Sequence, residues 1–366
     1  MAVKRLAMAL FCLMLVACQH VGAASRTLAQ FSPANSQCYD RTTQSHHFVV
    51  DAHHHFKPFW GQAVAFDKLV DWAANSGVLF VNIYGIGQTY QRKPNCVGER
   101  GCYSNIIAPT LENDRKNAAQ YLAYDGNKVH LTLSMTFADL NRPATILPTM
   151  QALQEQYGDI FSWMGEVNMV KAAQFDNGHQ AVSLATIAQW QPFMAALREQ
   201  NIPLAIHADL GDNQQPLRYL PLLQAMLAHY PENDIIWMHM GLSKELSDIS
   251  PQLHIETLTQ LFQQYPKFKA DLSWRILYDF YFREPQVAKQ YVELLNRYPE
   301  RFLPGSDFVA SSNKRLHDYR EEVAVNSHLF KVVNDVAFRR IALGQNYFDL
   351  LSLPYKAPQI CTTAAP

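Results

Sequence analysis

The stretch Asp51-Ala52-His53-His54-His55 places two imidazoles one residue apart. If it is a strand, alternate side chains take opposite faces, so Asp51, His53 and His55 share one face and His54 the other. Imidazoles at i and i+2 can hold one cation, at about 2.0–2.1 Å each for zinc. Further along, single residues of metal-binding type close short apolar runs. Glu166 follows Trp163-Met164-Gly165, His207 follows Leu204-Ala205-Ile206, His239 follows Ile235-Ile236-Trp237-Met238, and Asp307 follows Leu303-Pro304-Gly305-Ser306. Singly, each has a plain reading: a hydrogen-bonded core His, a surface Glu, an Asp capping a helix. Jointly they supply the nitrogen and oxygen donors of a divalent-ion site that activates water.

Such a set needs elements to converge it. Apolar runs that read as strands occur at 47–52, 78–83, 129–135, 161–167, 203–207, 234–239, 268–272 and 301–304. Between them lie stretches with apolar residues at three- and four-residue spacing, at 144–157, 183–200, 215–230, 253–265 and 285–298. Strands alternating with helices predict parallel βαβ units. Eight units close a (β/α)8 TIM barrel, whose chemistry sits at the C-terminal strand ends, where all six candidates fall. A doubly wound sheet is the competitor, but no GxGxxG follows the first strand. The expectation is an α/β chain with one barrel domain over 47–352. A long insertion after strand 2, at 84–110, exceeds an ordinary βα loop and reads as a lid.

The pattern resembles the amidohydrolase superfamily of metal-dependent (β/α)8 hydrolases, and within it the amidohydrolase-related branch. The matching stretches are Val50 to His55, Ala205-Ile206-His207-Ala208, Met238-His239-Met240-Gly241 and Gly305-Ser306-Asp307-Phe308, with a looser likeness at Gly344-Gln345-Asn346. Coverage runs from 48 to 351. The resemblance implies one or two divalent ions, with zinc suited to three imidazoles, held by His53, His55 and His207. It implies a metal-acidified water as attacking group, Asp307 as acceptor of its proton, and His239 as ligand of a second ion or as a group polarising the substrate carbonyl. The bond attacked would be an amide, ester or lactone in a small molecule. Many members bridge two ions with a carbamylated lysine after strand 4. Here Glu166 takes that place, to ligate, to bridge or to orient a water; Lys171 falls beyond the expected strand. A decarboxylase on the same barrel, a phosphoesterase and a non-catalytic metal-binding surface lipoprotein are the alternatives.

Weaker assignments complete the site. Arg275, just past strand 7, suits a substrate carboxylate or phosphate, or equally a salt bridge on the rim. Trp60 could line the substrate pocket, as could Tyr84, and Asp51 could brace a ligand His. His179 reads as a solvated loop residue, and His54 and His130 as structural.

The chain opens with Lys4-Arg5 and an uncharged apolar run from Leu6 to Ala17, ending Leu15-Val16-Ala17-Cys18. This is a signal-peptide pattern, too short to span a bilayer, and its end resembles a bacterial lipobox. It predicts export to the periplasm or cell envelope, a leader at 1–17, lipidation of Cys18, a tether at 18–46, a tail at 353–366, and membrane contact only through the lipid. In an oxidising compartment Cys96 and Cys102, six residues apart, would close a small ring, and Cys38 and Cys361 would join the ends of the domain. The 366 residues carry 31 Lys+Arg against 32 Asp+Glu, with 48% hydrophobic and 12% aromatic residues. That composition excludes a disordered chain, and the balanced charge gives no sign of a nucleic-acid partner.

Overall fold

A computed structural model describes residues 26–97 and 101–362. The expected leader and Cys18 lie outside the described residues. In chain order the strands are β1 (Val50–His55), β2 (Phe80–Tyr84), β3 (Gln88–Arg92), β4 (Tyr103–Pro109), β5 (His130–Met135), β6 (Phe161–Val170), β7 (Leu204–Ala208), β8 (Ile235–Trp237), β9 (Phe268–Asp271), β10 (Phe302–Leu303) and β11 (Phe308–Val309). The main sheet runs β10-β9-β8-β7-β6-β5-β2-β1-β11, and its pairs are parallel.

β10 and β11 are two halves of one strand, separated by Pro304-Gly305-Ser306-Asp307. The first half pairs with β9 and the second with β1, which closes the sheet. Across the break, the Ala52 N–H donates to Pro304 O (3.0 Å) and the Asp307 N–H to His53 O (2.8 Å). The fold is therefore a (β/α)8 barrel, as the alternation of runs predicts. Its strands read as apolar runs because they are buried on both faces; β1, β2 and β7 are buried throughout.

The helices pack one apolar stripe on the barrel. Phe66–Asn75 buries Phe66, Leu69, Val70, Trp72 and Ala73, and Pro285–Arg297 buries Ala288, Tyr291, Leu294 and Leu295. Truncating any one of these leucines to Ala costs about 2–5 kcal/mol.

The ends of the chain differ from expectation. Residues 26–46, largely exposed, are not a loose tether, being pinned to the barrel at Phe31 and Tyr39. Phe31 is 1% exposed and sits edge-on to Phe80 and Phe348, at 5.4 and 6.1 Å. Tyr39 exchanges backbone hydrogen bonds with Gln359 and Cys361, and the Lys356 N–H donates to Phe31 O. The described part of the tail is thus folded in too, and Cys38 is bonded to Cys361. Buried aromatic area, which local periodicity does not register, holds both ends on the barrel.

The insertion after β2 is an antiparallel hairpin of β3 and β4, with Cys96 bonded to Cys102 near its tip. The hairpin is fastened to the loop after β6: Tyr90 donates to Asn177 Oδ1 (3.3 Å) and Asn177 Nδ2 to Asn105 O (2.8 Å).

Candidate metal centre

The strand ends bring the six predicted donors into one buried cluster. His53 Nε2 and His55 Nε2 lie 3.0 Å apart. The Glu166 carboxylate lies between two pairs of imidazoles. Its Oε2 is 3.3 Å from His55 Nε2 and 3.8 Å from His53 Nε2. Its Oε1 is 2.5 Å from His207 Nδ1 and 3.7 Å from His239 Nε2. Asp307 Oδ1 is 3.5 Å from His53 Nε2 and 3.3 Å from His55 Nε2. Three overlapping ligand groups result: His53, His239 and Asp307; His53, His55 and Glu166; Glu166, His207 and His239. Within each, the ligand atoms are all within 4.8 Å of one another.

The other nitrogen of each imidazole is anchored, which leaves the inward one free to coordinate. His53 Nδ1 meets Asp271 Oδ2 (2.9 Å) and Ser273 Oγ (3.0 Å). His55 Nδ1 meets Gly85 O (2.6 Å), and His207 Nε2 meets Asp209 Oδ1 (2.9 Å). His239 Nδ1 meets Ser273 Oγ (3.0 Å). This donor set fits a divalent ion of borderline softness, and Glu166, with one oxygen toward each pair, fits two ions sharing a carboxylate.

The charges agree with the geometry. Burial opposes a charge on His53, yet Asp307, Asp271 and Glu166 outweigh it and raise its pKa well above the usual imidazole value. The pKa values of His55 and His207 are raised against burial in the same way, by Asp307 and Glu166 and by Glu166 and Asp209 respectively. Burial also opposes ionisation of Glu166, but Lys171 and His207 hold it well below the usual carboxylate range. Asp307 is pulled down to about 2 against burial by His53, His55 and His239. Protonated imidazoles among ionised carboxylates are what a cation would replace on binding.

Local backbone aims these groups. β1 runs three residues further than the sequence suggests, so His53 and His55 lie within it. A register shift between Asp51 and His54 breaks the simple alternation. Asp51 consequently touches no ligand imidazole, and its hold on His53 is a backbone one, with the His53 N–H donating to Asp51 Oδ1 (3.4 Å). It lies 3.3 Å from His54 and accepts from Ser306 N, Ser306 Oγ and Tyr319 Oη. It thereby pins the residue before Asp307, whose φ is 52°. β8 stops at Trp237, and His239 sits in a left-handed turn with Met240 and Gly241, at φ 56°, 53° and 74°. A Cβ on Gly241 would meet the Trp237 ring at 1.8 Å. His254, on the helix Pro251–Gln264, steadies this turn through Met240 O (2.9 Å) and Tyr291 Oη (2.7 Å).

The weaker candidates separate. Arg275 is paired with Glu321 (2.7 Å) and Asp279 (3.3 Å) on the rim. Trp60 is 55% exposed and edge-on to Tyr90. It lines a cleft of about 620 Å³ beside the hairpin, outside the narrow pocket that reaches His55 and Glu166. Tyr84 packs its ring on His53 and His55. His179 is not solvated: it is buried, stacked on Phe175, and pushed down to about pKa 4 by burial and by the His207 and Lys171 charges.

Asp209, Asp271, Ser273 and His254 support the cluster without having been expected from the sequence. Asp271 ends β9, so the rule that selected the other donors, an acid or imidazole closing an apolar run, would have found it. Asp209 stands two residues after His207, the same spacing as His53 and His55. Nothing local marks His254.

A family model described as Amidohydrolase matches residues 164–328, a span that holds Glu166, His207, His239 and Asp307. No match is found among curated proteins. Among solved structures, a dihydroorotase from Campylobacter jejuni is 15% identical, with 85% of this chain and 86% of that one covered and a TM-score of 0.46. A putative amidohydrolase from Staphylococcus aureus is 14% identical, with 83% and 99% covered and a TM-score of 0.48.

Proposed function

We propose that this protein is a divalent-metal-dependent hydrolase that cleaves an amide, ester or lactone bond in a small molecule. The observation that carries the reading is the Glu166 carboxylate set between two pairs of imidazoles, each imidazole anchored through its other nitrogen, with Asp307 alongside. His53, His55 and Asp307 would hold an ion on one side of Glu166, and His207 and His239 one on the other; zinc suits the donors. A divalent ion there supplies a Lewis acid for the carbonyl and acidifies water.

The chain's own groups do the rest. Asp307 is the most exposed of the clustered carboxylates, at 14%, and is held ionised at neutral pH, so its Oδ atoms can take the proton of an attacking water and deliver it to the leaving nitrogen or oxygen. Asp51, through Ser306, keeps that carboxylate in place. Asp271 and Ser273 hold His53 and His239 in one orientation, which preserves the spacing of the cluster.

The test is a screen of the zinc-loaded protein against lactones, esters and amides, with CO₂ release from candidate acids followed in parallel. Turnover of one of the three classes that disappears in Asp307→Asn supports the reading. CO₂ release without hydrolysis replaces it with a decarboxylase.

We also propose that the protein acts in the periplasm or cell envelope, anchored through Cys18. The basic and apolar leader supports this, as do two disulfides, which persist in oxidising compartments. Export with lipid incorporation that is lost in Cys18→Ala is the expected outcome.

A further inference from the structure

We infer that Lys171 is the anchor for a carboxylate on the substrate, so that the preferred substrates are acids carrying their negative charge a few bonds from the cleaved bond. The inference rests on the hydrolase reading and names its substrate class.

β6 extends three residues past the expected strand end and pairs Val170 with Ala208 of β7. That extension carries Lys171 to the metal cluster. Its Nζ is 3.4 Å from Glu166 Oε1 and its side chain is 14% exposed. The ammonium lies 5.7 Å from the centre of the Phe59 ring. Lys171, Phe59, His55, Glu166, Gln88 and Asn168 line one narrow pocket. The pocket measures about 10 Å³, room for one small polar group, so a carboxylate entering it meets Lys171 while the rest of its molecule lies across the metal-binding side chains.

Charge balance indicates what Lys171 awaits. A largely buried ammonium needs an anion beside it. Among the described residues, Glu166 is its only carboxylate partner and no other acceptor lies within hydrogen-bond distance of Nζ. The 3.4 Å separation is longer than the about 2.7–2.9 Å of a strong charge-assisted hydrogen bond. Glu166 already faces four imidazoles, and ions in the cluster would take up its charge. The ammonium then retains donors for an incoming anion. Two other cations near the mouth are less suited. Arg275 is already neutralised by Glu321 and Asp279, and Lys244, at 6.0 Å from the centre of the Trp274 ring, is exposed.

The experiment is calorimetric titration of the zinc-loaded protein with succinamate, which carries one amide and one carboxylate, and with succinamide, which carries two amides. The wild type should bind succinamate about tenfold or more tighter. Lys171→Gln, compared at equal zinc loading, should lose that preference while still binding succinamide, and Lys171→Arg should keep it. No preference in the wild type, survival of the preference in Lys171→Gln, or equal loss for both ligands overturns the anchor. Turnover is read separately. A charge preference that depends on Lys171 in a protein that hydrolyses nothing sinks the hydrolase reading and leaves the anchor; hydrolysis indifferent to charge does the reverse.

Discussion

Asp307 and His53 are neighbours in the cluster but carry different tasks, and their variants should separate. His53→Ala removes an imidazole present in two of the three ligand groups and leaves Glu166, His207 and His239 together, so bound metal should fall by about one equivalent in elemental analysis. Asp307→Asn leaves His53, His55, His207, His239 and Glu166 in place. It should keep part of the metal and lose about 10²–10⁴-fold in kcat; equal turnover would remove its role as proton acceptor. The donors were legible in the sequence because each closes an apolar run, where a barrel keeps its chemistry. The groups that steady them were less so. Asp51 reaches Ser306 across 255 positions and His53 reaches Asp271 across 218, and no local pattern records such a pairing. The raised imidazole pKa values also set the direction of a pH effect. Protons held on His53, His55 and His207 compete with the ion, so zinc affinity should weaken as pH falls from about 8 to about 6, with proton release on binding. A pH-independent affinity, measured by chelator competition, would contradict that.

Among the elements, the turn after β8 departs most from what periodicity suggests. An apolar run that ends in His239 reads as strand to its last residue, yet the chain leaves the strand at Trp237 and aims His239 through three left-handed residues. Gly241→Ala should therefore destabilise by about 3 kcal/mol or more, from a strained φ and a clash with Trp237; denaturant unfolding measures it. His254 supports the same turn and is held at about pKa 4 by burial. It stays neutral in the fold and charges near pH 6.5 when unfolded, so its contribution is full above about pH 6.5 and is lost as pH falls toward about 4, on the order of 3 kcal/mol in all. His254→Gln should show a shallower loss of stability across that window than the wild type. The barrel strands themselves were readable because burial on both faces leaves an unbroken apolar signature. The break between β10 and β11, the shift within β1 and the extension of β6 were not, since each is decided by pairing with a distant neighbour.

For the molecule as a whole, the unit is larger than the barrel. Residues 26–46 and the end of the chain close over Phe80 and Phe348, and the Cys38–Cys361 bond joins them across 323 positions. Replacing both cysteines with Ser should cost about 2–5 kcal/mol by releasing the unfolded chain, without altering the metal cluster at the opposite strand ends. At those opposite ends, the proposed function depends on the cluster holding a metal ion. The most direct test is the metal content of the purified chain after exposure to excess zinc and removal of unbound ion. The predicted result is about one to two equivalents per chain, lower by about one in His53→Ala. A wild-type protein that is folded and holds none would contradict the account.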